Sequence, residues 1–110
     1  EQFDADFVYV LNSEADNLPF EEFSKMLSKL FYQLECGEYT YKKRERYKKA
    51  CRIERIVAIE EKQKFHAHIL VKQFGNHTEK AINNKTNDIF SLAPHLSMCS
   101  YSVVRIKHNQ

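Results

Sequence analysis

Phe65-His66-Ala67-His68-Ile69-Leu70-Val71-Lys72, preceded by Arg52-Ile53-Glu54-Arg55-Ile56-Val57-Ala58-Ile59-Glu60-Glu61 and the polar link Lys62-Gln63-Lys64, decides how this chain is read. Two apolar, β-favouring runs joined by so short a polar link predict a β-hairpin. Strand side chains alternate between faces, so Phe65, Ala67, Ile69 and Val71 form an apolar face. His66 and His68 point the other way, about 6.6 Å apart along the strand. A strand that buries one face and shows two imidazoles on the other is suited to a divalent metal. Two such histidines can also be plain surface residues, but the clean flanking pattern (apolar, His, small, His, apolar) favours a site. A third ligand is expected from the partner strand. If Val57 and Ile59 face the core, a three-residue turn places Glu60 opposite His66. A two-residue turn selects Glu61 instead, because a slip of one residue exchanges the faces. A structural zinc site fits poorly, since no cysteine pair lies nearby.

Outward from the hairpin, Phe7 to Leu11 reads as a first strand and the polar Asn12 to Asn17 as a turn. Pro19 suits the first turn of a helix, and Glu21 and Glu22 suit its positive end. Phe20, Phe23, Met26, Leu27, Leu30, Phe31 and Leu34 recur at steps of three and four, predicting an amphipathic helix over 19–35 with Gly37 as its stop. Residues 38–50 show no clear period. Residues 75–90 are polar and read as loop or a short helix. Tyr101 to Lys107 reads as a last strand. The order β-α-β-β-(α)-β predicts an α+β fold, an antiparallel β-sheet with helices packed on one face and the other open to a ligand.

The 110 residues suffice for one domain with a single core. Two glycines leave no Gly-rich phosphate loop, so a nucleotide cofactor has no cradle. No apolar run approaches the ~20 residues of a membrane span. Cys36, Cys51 and Cys99, odd in number and without a CxxC pair, indicate reduced thiols and an intracellular setting. The chain opens on Glu1, which reads as a fragment of something longer. The net charge of +2 hides an asymmetry: residues 1–22 carry acids and no base, whereas residues 42–55 hold eight bases against Glu45 and Glu54. Lys42, Lys43, Arg44, Arg46, Lys48 and Lys49, interleaved with Tyr39, Tyr41 and Tyr47, form the expected contact with a nucleic-acid backbone. Tyr9 and Tyr32 are expected in or near the core, and His77, His95 and His108 on the surface.

The run Phe65-His66-Ala67-His68-Ile69-Leu70-Val71 resembles the His-hydrophobe-His motif of the HUH endonucleases, which include rolling-circle replication initiators, relaxases and single-tyrosine transposases. The strand Ile56 to Glu61, ending in acids, is similar to the one that supplies that family's third metal ligand. The resemblance implies a ferredoxin/RRM-like fold with a five-stranded sheet spanning residues 1–110 as a single nicking domain. It implies one Mg²⁺ or Mn²⁺ on His66, His68 and Glu60. The implied activity is site-specific nicking and joining of single-stranded DNA at a replication origin, through a tyrosine-linked 5′-phosphodiester that initiates rolling-circle replication, in a bacterial cytoplasm or a virus-infected cell. Family members carry the tyrosine on a helix as Y-x-x-K. After His68 only Tyr101 is present, with Val104 at the lysine position in a strand-like run. Either Tyr101 is the nucleophile in an unusual setting or the catalytic helix follows Gln110, and the second is favoured. The competing reading is a non-catalytic nucleic-acid-binding domain on a ferredoxin-like sheet. An RNA-recognition module, however, carries stacking aromatics where His66 and His68 stand.

Overall fold

A computed structural model describes residues 3–61, 63–93, 96 and 98–107. Along the chain run β1 (Phe7–Ser13), α1 (Phe20–Tyr39), α2 (Tyr41–Arg46), β2 (Arg55–Glu61), β3 (Phe65–Val71), α3 (Glu79–Leu92) and β4 (Cys99–Arg105). The four strands form one antiparallel sheet in the order β2-β3-β1-β4, an α+β fold as the sequence predicts. The fifth strand implied by the family resemblance is not found among the described residues.

Because β3 and β1 are antiparallel, β1-α1-β2 and β3-α3-β4 are two crossovers, each joining parallel strands that flank a third. Crossovers of one hand place both helices on the same face of the sheet. Tyr9 shows this directly: its ring lies 5.5 Å from Phe31 of α1, and its hydroxyl donates to Thr86 Oγ1 of α3 at 3.1 Å. Phe7, Tyr9 and Leu11 of β1, Ala67 and Ile69 of β3, and Phe23, Leu30, Phe31 and Leu34 of α1 form the centre of the core.

α1 buries its predicted stripe from Phe23 to Leu34, but Phe20 at its first turn is exposed, and the helix passes through Gly37 and ends at Tyr39. The stop is Thr40, whose φ of 70° breaks the helical path and whose hydroxyl then accepts from Lys43 N to begin α2. A β-branched residue in that region costs about 1–3 kcal/mol, and the capping bond offsets part of it. The segment 38–50, without visible period, thus contains a short helix. The polar stretch expected as loop or a short helix contains the 14-residue α3, which Thr78 caps through Ala81 N at 3.1 Å. Its weak signal has a cause: of the two buried positions, Ile82 and Thr86, one is polar. β1 also runs on through Asn12 and Ser13, taken from sequence as turn. β2 starts at Arg55 rather than Arg52, and β4 covers 99–105 rather than 101–107. All three cysteines are free thiols, with Cys51 and Cys99 buried.

Candidate metal and nucleic-acid site

The hairpin register places Glu60 opposite His66, Ala58 opposite His68 and Glu61 opposite Phe65. Glu60 therefore shares the face of the two histidines, and Glu61 lies on the helix-covered face with Phe65. On the other side of β3, Asn12 of β1 stands opposite His66 and Val10 opposite His68. Directly opposed side chains on one face start about 4.5–5.5 Å apart at Cβ, so Asn12, His66 and Glu60 form a short row across three strands. No helix among the described residues packs on this face. Of the turn residues, Lys62 lies outside the described residues.

His66 is half-buried, and its Nδ1 sits 2.6 Å from Asn12 Oδ1. A carboxamide oxygen only accepts, so Nδ1 is the donor in this contact. This is the arrangement in which an outer partner fixes the tautomer and orientation of a metal-binding imidazole. His68 is exposed beside it. Among the described residues no three His, Cys, Asp or Glu side chains are gathered closely enough to hold an ion. Glu60 is exposed, and its backbone is already opposite His66, so a turn of its side chain would be the motion that brings a carboxylate to the pair. Two imidazoles and a carboxylate are a donor set suited to first-row divalent ions, with the carboxylate the group that favours Mn²⁺.

Asn12 is the residue that sequence reasoning missed. The alternation Val8, Val10, Asn12 carries the signal once β1 is allowed to run on past Leu11. We expect Asn12→Ala to weaken Mn²⁺ binding by about 10–100-fold while leaving the hairpin intact, the usual cost of losing such an orienting partner. Titration of both chains by calorimetry checks this, and equal affinities would show that the Asn12 contact has no part in the site.

Tyr101 is not brought to the histidines. It pairs with Leu11 on the helix-covered face, stacks 6.1 Å from Tyr9 and lies 4.9 Å from Phe90. Its hydroxyl is within hydrogen-bonding distance of Asn83 O and Asn87 Oδ1, and burial raises its pKa, which disfavours the phenolate. Tyr101→Phe is expected to lower stability by about 1 kcal/mol, the net value of an ordinary hydrogen bond, and to leave Mn²⁺ affinity unchanged. A calorimetric shift in that variant would show a link between the two faces that the geometry lacks.

The basic stretch falls on α2 and the turn after it. Lys42, Lys43, Arg46, Tyr47, Lys48 and Lys49 are exposed there. Arg44 behaves differently: its Nε donates to Glu35 Oε1 at 2.6 Å, and its guanidinium lies 4.7 Å from the Tyr32 ring centre. Tyr32 thus sits at the rim, with its hydroxyl donating to Glu45, rather than in the core. α2 packs on α1, so the basic stretch belongs to the helix side of the sheet and not to the histidine face. His77, taken from sequence as surface, is half-buried against Phe74 and paired with Glu38. His95 and His108 lie outside the described residues.

Comparison with family models, with curated proteins and with solved structures gives no match for this chain. No helix among the described residues is long and apolar enough to cross a membrane.

Proposed function

We propose that the chain is the nicking domain of an HUH-type replication initiator, acting on single-stranded DNA with Mg²⁺ or Mn²⁺ at His66, His68 and Glu60. The observation that carries the reading is the open sheet face. Two imidazoles share it, one has its tautomer set by Asn12, and a carboxylate stands opposite by register. The order β-α-β-β-α-β with β1 and β3 central is also that of ferredoxin-like sheets, which supports the resemblance at the level of topology.

An ion held there would neutralise charge on a non-bridging oxygen of the scissile phosphate. The protein's part is to position that phosphate. Asn12 keeps the His66 ring in one orientation, and the apolar Val8, Val10 and Leu70 around the pair offer contact to sugars and bases rather than competing donors. In the proposed transesterification a tyrosine hydroxyl attacks phosphorus, the P–O3′ bond breaks, and a 5′-phosphotyrosine and a free 3′-OH result. Reversal with another 3′-OH rejoins strands. Tyr101 faces the helices, away from the histidine pair, and is not placed to supply that hydroxyl.

The test is calorimetric titration of Mn²⁺ into this chain and into His68→Ala. One ion per chain, lost in the variant, supports the reading. No binding to the unmodified chain overturns it and favours the second reading, a non-catalytic nucleic-acid-binding domain. That alternative draws on the exposed apolar Ile56 and Val104 of the same face and on the ungathered donor set.

A further inference from the structure

α1 carries a second stripe on the flank it does not bury. Ser24, Lys25, Ser28 and Lys29 recur at helical spacing there and meet Arg52 and Arg55 across a cleft of about 550 Å³. Arg44 lines it too, so five cations converge on one space. The only carboxylate in the lining, Glu35, is already engaged by Arg44, Arg55 and the Ile53 N–H. Glu22 approaches Lys25 from outside at 3.8 Å, a solvent-exposed pair that neutralises little. The Arg55 guanidinium is held below its usual pKa, first by burial and then by the charge of Arg52, so the cations crowd one another. An anion in the cleft would relieve that crowding. Lysine, arginine and serine side chains on one wall are also the groups that hold nucleic-acid phosphates without reading sequence.

The placement points to the same ligand. β2 is an edge strand, so only the width of that edge separates the cleft from the histidine face. Arg55 precedes Glu60 by five positions, ~17 Å along the strand, a span of only a few nucleotides. A single nucleic-acid molecule can reach both.

We propose that the cleft between α1 and β2 is a second site that grips the phosphodiester backbone of the nucleic acid whose single strand lies on the histidine face. Naming the ligand rests on the nicking-domain reading, whereas the site itself rests on the convergence of cations. It is distinct from the exposed lysines of α2, which belong to neither wall.

The experiment is fluorescence anisotropy with a labelled 20-nucleotide oligo-dT, without divalent metal, across NaCl concentrations. Lys25→Gln/Lys29→Gln/Arg52→Gln is compared with the unmodified chain. All three side chains are exposed, and Arg44 and Arg55, which hold Glu35, are left in place. Three lost phosphate contacts should reduce the slope of log affinity against log salt by about 2, at ~0.7 per single-strand phosphate, and weaken binding at least tenfold at low salt. Mn²⁺ titration of the unmodified chain is read alongside, so a failure of the metal reading shows separately as absent Mn²⁺ binding. An unchanged slope in the cleft variant overturns the proposal. So does an equal loss in Lys80→Gln/Lys85→Gln/Lys107→Gln, which removes the same charge elsewhere. Should the triple variant fail to fold, Lys29→Glu alone gives the same comparison.

Discussion

Glu35→Gln is expected to unfold at least ~12 °C below the unmodified chain, from a loss of about 3 kcal/mol or more in a domain of this size. Glu35 is 1% exposed, on the inner flank of α1 one turn beyond Phe31. Its Oε1 accepts from Arg44 Nε at 2.6 Å, and its Oε2 accepts from Ile53 N at 3.0 Å and Arg55 Nη1 at 3.2 Å. One carboxylate therefore ties α2 and the entry to β2 onto α1. An amide can still accept from Ile53, but it leaves the poorly solvated Arg55 guanidinium without a counter-charge and Arg44 with Glu45 alone, at 3.4 Å. Arg55 feels this most, because burial already disfavours its charged form and its ring contact with Phe31 at 4.5 Å is no substitute for an anion. A companion variant, Glu35→Leu with Arg44→Leu and Arg55→Met, should recover much of the loss, since apolar replacements of a buried ion cluster are often close to neutral. A thermal melt of Glu35→Gln within a few degrees of the unmodified chain would show that water reaches the arginines and that the cluster contributes little.

His66→Ala and His68→Ala are each expected to abolish Mn²⁺ binding at the one-to-one site and to reduce cleavage of single-stranded DNA by about a thousandfold or more. Metal stabilisation of charge at phosphate contributes several kcal/mol to a transition state, and each 1.36 kcal/mol is tenfold in rate. Neither change should harm the fold, because both rings stand on the open face and His68 is exposed. His66→Ala also loses the contact with Asn12, so its melt is the control on structure: a loss of about 1 kcal/mol is the net value of that hydrogen bond. Cleavage is read on a randomised single-stranded pool. Retention of both metal binding and cleavage in His68→Ala would remove the histidine pair from the mechanism. Glu60→Gln gives the intermediate case, with weakened rather than abolished binding.

The hairpin and the helix α1 were legible because their signals are local. Alternation in Phe65–Val71 and the three- and four-residue steps from Phe23 to Leu34 state which face each element buries, whereas the choice of Glu60 over Glu61 opposite His66, open in the sequence, comes from the strand register. α3 was legible only as a loop or a short helix, because its inward positions include Thr86, whose buried hydroxyl is satisfied by Ile82 O within the helix and by Tyr9 across 77 residues. Gly37 misled because a glycine in a helix marks a stop only when the chain needs a left-handed turn there, and here Thr40 takes it. By itself, then, the sequence determined the α+β order, the face on which His66 and His68 lie, and the basic character of residues 42–55. The tertiary structure alone decided that Asn12 orients His66, that Tyr101 turns to the helices, that Arg44 leaves the basic surface for Glu35, and that Arg52 and Arg55 meet α1 in a cleft. The reason is physical: periodicity fixes a side chain's face within its own element, but which distant group stands opposite depends on strand order and helix placement, which the whole core settles at once.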